Sequence, residues 1–129
     1  MPKFQLNKLV RDKFRDEYIR MGQKATCRDL SADEHKTQLI RKIIEETREI
    51  RITGAVSEIA DELADIQQAV DDLAVLCDIE KEQILSAQRK KYDKKGGFTD
   101  GVYVETIELA DDDEWVEYYR RYPDIFPEI

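Results

Sequence analysis

The sequence predicts an all-α protein built on four main helices, followed by a short extended segment and a small C-terminal helix. Three observations carry that expectation. Gly and Pro are scarce, five and three in 129 residues, so few positions interrupt regular structure. Apolar residues recur three and four apart from Leu6 to about Asp93. The breaks between periodic stretches, at Gly22, Gly54 and Gly96-Gly97, are short, which suits an up-and-down helical bundle.

The first helix is expected over Asn7–Met21, with Leu6, Val10, Phe14, Tyr18 and Met21 at helical spacing and Gly22 as its stop. After a connector through Cys27 and Leu30, Ser31-Ala-Asp-Glu34 reads as a capping box, with Glu34 reaching back to the start of the helix. The second helix then carries Leu39, Ile40, Ile43, Ile44 and Ile50 along one stripe and ends near Gly54. Ser57 is expected to cap the third, whose stripe is Ile59, Leu63, Ile66, Val70, Leu73 and Cys77. Asp78 is expected to cap the fourth, from Ile79 to about Asp93, with Arg89, Lys90, Lys91, Lys94 and Lys95 crowding its last turns, where the helix dipole favours cations. Beyond Phe98, GVYVETIEL reads as a short strand or extended arm, DDDEWVEYYRRY as a last amphipathic helix and PDIFPEI as a tail. Residues 1–98 are thus read as one helical domain and 99–129 as an extension packing on it or on a neighbouring subunit.

A formal net charge of −8 and a pI of about 4.8 argue against nucleic acid or an anionic membrane as partner. With no apolar run near 18 residues and an N-terminus charged within its first positions, the cytoplasm is the expected compartment. There Cys27 and Cys77 are expected as free thiols, Cys77 on an apolar helix face. His35 stands alone and reads as a solvated polar residue.

The acids are the informative feature. EETRE (Glu45–Glu49) and ELAD (Glu62–Asp65) place like charges three and four apart in consecutive helices, each pair costing a few tenths of a kcal/mol. On a wheel of about 100° per residue, Glu46 falls about 70° from the apolar centre, beside Leu39 and Ile50. Glu49 lies further round, and Glu45 is nearly opposite the core. Glu62 sits at the edge of the next stripe beside Ile66 and Ala69, with Asp65 next to it. If the two helices pack as an antiparallel hairpin, Glu46, Glu49, Glu62 and Asp65 converge. Oxygen ligands without Cys or His favour Mg²⁺ or Mn²⁺ over zinc. In a chain with 29 acids, the same spacing also suits a solvated acidic face.

EETRE followed by ELAD resembles the EExxE and ExxD signature of the MazG-like, all-α nucleoside triphosphate pyrophosphohydrolases. NKLVRDK (Asn7–Lys13) and KKYDKKGGF (Lys90–Phe98) are similar to segments of the phosphoribosyl-ATP pyrophosphohydrolase-like branch. The resemblance spans about Leu6 to Phe98. It implies a helical bundle that assembles as a homodimer or homotetramer, and Mg²⁺-dependent cleavage of a nucleotide to the monophosphate and pyrophosphate, often in house-cleaning of non-canonical nucleotides. It further implies Glu46, Glu49, Glu62 and Asp65 as metal ligands, Glu45 as a helper in catalysis with Glu46 and Glu49, and Lys8, Arg11, Lys91, Lys94 and Lys95 as contacts to substrate phosphates. Phosphoribosyl-ATP as substrate, or a non-catalytic acidic module that binds a protein partner, are the alternatives. The chain departs from the branch in having Phe14-Arg15 where a Pro is common after RDK, so the first helix is expected to run further, and in the stretch after Phe98, which matches nothing in the family.

Overall fold

The computed structural model describes residues 1–129 and contains five α-helices and no strand. They are α1 (Phe14–Arg20), α2 (Ala32–Glu49), α3 (Val56–Leu76), α4 (Lys81–Lys95) and α5 (Trp115–Arg121). The chain forms two compact units, Met1–Lys91 and Tyr92–Ile129. No helix is long and apolar enough to cross a membrane.

The centre of the first unit is a hairpin of α2 and α3, the one helix pair with extended mutual packing. A connector of residues 50–55 returns the chain, so the two helices are antiparallel neighbours. Leu39 on α2 and Ala69 and Ala74 on α3 are its buried apolar residues. The small alanines allow the helix surfaces to approach closely around the single buried leucine. Within this turn Gly54 donates its N–H to the Arg51 carbonyl at 2.8 Å. A Cβ there would stand 3.0 Å from that same carbonyl oxygen and from a Glu58 carboxylate oxygen, so a side chain would crowd the tight return, and the Glu58 carboxylate would have to move aside.

The capping box at Ser31 is present in part. The Ser31 hydroxyl accepts from the Glu34 N–H at 3.3 Å, and the Glu34 carboxylate turns to Arg28 and to the Ser31 hydroxyl rather than to a backbone N–H. Arg28, followed by Ser31, holds the Glu34 carboxyl below its usual range.

Other expected boundaries are corrected. The first helix begins at Phe14, not Asn7: Asn7 adopts φ 47°, a left-handed conformation that no α-helix continues through, and a turn from Arg11 to Phe14 precedes α1. The second ends at Glu49, ahead of Gly54, because Ile50 turns extended. The third starts one residue before Ser57, with Ala55 as a cap that uses no side chain. Asp78 does not cap α4. It has φ 56° and closes α3, where Ile79 N–H reaches the Ala74 carbonyl and Asp78 N–H the Val75 carbonyl, the paired bonds of a Schellman ending. Cys77, expected on an apolar face, is exposed. Of the two readings of GVYVETIEL, the short strand does not form, since β-rich residues need a partner strand and none is present; the segment carries no regular secondary structure.

Large apolar side chains of the hairpin are also left exposed, among them Ile40, Ile44 and Leu63 from the predicted stripes. The expected four-helix packing is therefore reduced, within one chain, to a hairpin whose apolar stripe is half covered. In the second unit, Trp115, Tyr118, Tyr119, Tyr122 and Phe126 form a cluster of edge-on and tilted rings with centroids 5.0–6.4 Å apart. Such geometry suits the ring quadrupoles and gives α5 and the tail a small apolar centre.

Candidate metal centre

The hairpin brings the two acidic motifs together. Glu46 lies in the last turns of α2 and Glu62 and Asp65 in the first half of α3, and one carboxylate oxygen of each falls within 4.8 Å of the others. A second trio, Glu45, Glu46 and Glu49, meets the same limit and shares Glu46. The five acids thus form a continuous group on which Glu46 is the pivot.

Glu46 is the deepest member, only 6 % exposed. A carboxylate at that depth needs a cation or several hydrogen bonds. Lys42, one turn earlier on α2, supplies one, its Nζ 3.4 Å from Glu46 and 3.3 Å from Glu45. Burial alone would lower the Lys42 ammonium, but the hydrogen bond and charge of Glu45, then of Glu46, outweigh it and raise its pKa. Lys42 was not anticipated from sequence. Its signal was present, since Lys42 stands three and four residues from Glu45 and Glu46.

Glu62 is differently placed. Its Oε2 is buried and has no hydrogen-bond partner. The carboxyl is pushed up to about 7 from its ordinary 4.5, chiefly by its hydrogen bond with Glu46, then by burial and by the charges of Glu46, Glu49 and Asp65. An orphaned buried oxygen on a carboxyl that neighbouring carboxylates hold partly protonated suits a hard divalent cation, which would satisfy the oxygen and displace the proton. The donor set, all carboxylate, fits Mg²⁺ or Mn²⁺.

Among the other anticipated residues, Lys8 and Arg11 do reach the acids. The Arg11 guanidinium donates from Nη2 to Asp65 Oδ1 at 2.6 Å, and Lys8 Nζ lies 3.9 Å from Glu45 Oε1. Glu45, placed by the wheel nearly opposite the core, is instead half-buried under Lys42 and Lys8. Glu49 is exposed at the end of α2. Lys91, Lys94 and Lys95 are exposed at the end of α4 and take part in no ion pair.

The elevated Glu62 carboxyl predicts an unusual pH profile for the metal-free protein. Between about 4.5 and about 7 the folded state binds more protons than the unfolded one, so stability falls as pH rises through this window and levels off above it. Thermal melts in EDTA should show that decline. Added Mg²⁺ should reverse it, most strongly above about pH 7, where binding no longer has to expel the proton.

Comparison with protein-family models, with curated proteins and with solved structures finds no match to this chain.

Proposed function

We propose that the chain is a Mg²⁺-dependent pyrophosphohydrolase that converts a nucleoside triphosphate to its monophosphate and pyrophosphate. The observation that carries this reading is the convergence of Glu46, Glu62 and Asp65 around a buried oxygen without a partner, on the two motifs that resemble MazG-like enzymes. Glu46, Glu49, Glu62 and Asp65 would hold the cation. Bound there, it supplies Lewis acidity toward phosphoryl oxygens and water.

The remaining chemistry falls to the chain. Hydrolysis forms a bond from a water oxygen to the α-phosphorus and breaks the bridging bond to the β-phosphate, and the water proton must be accepted. Glu45, half-buried yet open to solvent on one side, orients that water and takes the proton. Its partners Lys42 and Lys8 hold its carboxylate in position. Lys8 and Arg11 stand over the acids, where they offset the charge of an arriving triphosphate.

The assembled protein is a homo-oligomer in this reading, a dimer or tetramer. A folded chain of 15.2 kDa exposes about 7,100 Å² when it stands alone, whereas this one exposes 12,356 Å². An obligate subunit interface would remove part of that excess, and Ile40, Ile44 and Leu63 are exposed apolar side chains available to it. Sedimentation equilibrium should return at least twice the chain mass. Ile44→Lys should shift the population toward monomer.

Activity is tested by pyrophosphate and monophosphate release from a panel of ribo- and deoxynucleoside triphosphates, dUTP and oxidised bases included, with and without Mg²⁺. Metal-dependent release of both products supports the proposal. Silence across the panel and with phosphoribosyl-ATP refutes it.

A further inference from the structure

The N-terminal segment meets the acidic group in a way that the proposed chemistry does not require of a bystander. Residues 7–11 belong to no helix, and Asn7 turns with φ 47°. Leu9 and Val10 are half-buried, while Lys8 and Arg11 are exposed on their solvent side and directed to acids of different helices. Lys8 pairs with Glu45 of α2, and Arg11 with Asp65 of α3, 54 positions away. The segment therefore bridges the two halves of the hairpin through its cations.

Arg11 engages a carboxylate counted among the metal ligands. Its bond to Asp65 involves one guanidinium nitrogen and one carboxylate oxygen, a single contact from a group with five N–H donors. Both partners are more than a third exposed, so water screens the pair and holds its strength to about 0.2–1 kcal/mol. A divalent cation bound among several carboxylates gains far more from Asp65 than this contact provides. Lys42 differs, because it lies on α2 itself, partly buried, and is tied to the same two glutamates by helix geometry. Lys42 can stay when a metal arrives, whereas Arg11 has both reason and freedom to leave.

We infer that Arg11 is an exchangeable counter-ion: it holds Asp65 in the metal-free protein, yields that carboxylate to the divalent cation, and then grips the substrate phosphates with its freed guanidinium. This rests on the metal-centre reading above and adds to it how the site loads. A planar fork released beside a newly bound metal is suited to bidentate capture of phosphate oxygens. Metal and nucleotide then bind cooperatively, since the first frees the ligand that the second needs.

The test uses the full chain with Mn²⁺ and inorganic pyrophosphate as probes. Free Mn²⁺ is followed by electron paramagnetic resonance for wild type, Arg11→Ala, Arg11→Lys and Glu62→Gln. Removal of a competing cation should tighten Mn²⁺ binding in Arg11→Ala by about two- to fivefold. At saturating Mn²⁺, pyrophosphate binding to that variant should weaken about tenfold, and Arg11→Lys should recover only part of it, having the charge without the fork. Mn²⁺ affinity that is unchanged or weaker in Arg11→Ala, or pyrophosphate affinity that is unchanged, overturns the inference while leaving the metal centre standing. No Mn²⁺ binding to the wild type, or binding that survives Glu62→Gln at full strength, overturns the metal centre itself and the inference with it.

Discussion

Replacing Glu62 by Gln should reduce pyrophosphate release by at least about 100-fold and, in the same protein without metal, raise the melting temperature above about pH 7. The two effects have opposite signs for one physical reason. In the absence of metal, Glu62 stands against Glu46, Glu49 and Asp65 with a buried oxygen that bonds to nothing. The amide keeps the volume, removes the charge and can donate to Glu46, so the repulsion is relieved. With metal, the same amide is a poor ligand for a hard cation and the site loses an anionic oxygen. A carboxylate on a solvated face predicts neither outcome, because such substitutions usually stay within about 0.5 kcal/mol. Parallel melts in EDTA and in Mg²⁺, beside the product assay, separate the two cases. Full activity in Glu62→Gln would sink the proposal.

Leu39→Ala carries the largest expected effect on stability. Leu39 is 4 % exposed and is the only large apolar side chain buried in the hairpin, where its companions are Ala69 and Ala74. Truncation there should cost about 2–5 kcal/mol, a substantial part of the stability of a domain this size. Urea denaturation followed by circular dichroism should show the midpoint falling accordingly. Because Glu46 lies on the same helix, seven residues on, loosening α2 against α3 should also weaken metal binding. A midpoint within experimental error of wild type would mean that the α2–α3 contact is not what holds the acids in place.

The sequence was most informative where local rules suffice. The Ser31 cap is a chemical signature that acts over three residues, and the start of α2 follows it. Glu46 and Glu62 were legible because an acid beside Leu39 or Ile66 breaks the pattern of its own helix. What stayed hidden depends on partners distant in the chain. Residues 7–13 have helical spacing, but Lys8 and Arg11 pair with acids far along the sequence, and no periodicity encodes that. Glu45 looked exposed because a wheel counts only the residues of its own helix, whereas Lys8 comes from outside it. Ala55 caps α3 without a polar side chain, so the polar Ser57 two residues on stands out as the cap in its place. Asp78 misled because an acid before a helix usually caps it, whereas here it takes the left-handed position that glycine commonly fills.

The central claim is that Glu46, Glu49, Glu62 and Asp65 form a divalent-metal site, and the most direct measurement is anomalous scattering from crystals soaked in Mn²⁺. The account predicts a peak bounded by Glu46, Glu62 and Asp65, with the Arg11 guanidinium withdrawn from Asp65. Crystals at saturating Mn²⁺ that show no peak there, with Arg11 still bonded to Asp65, would contradict it.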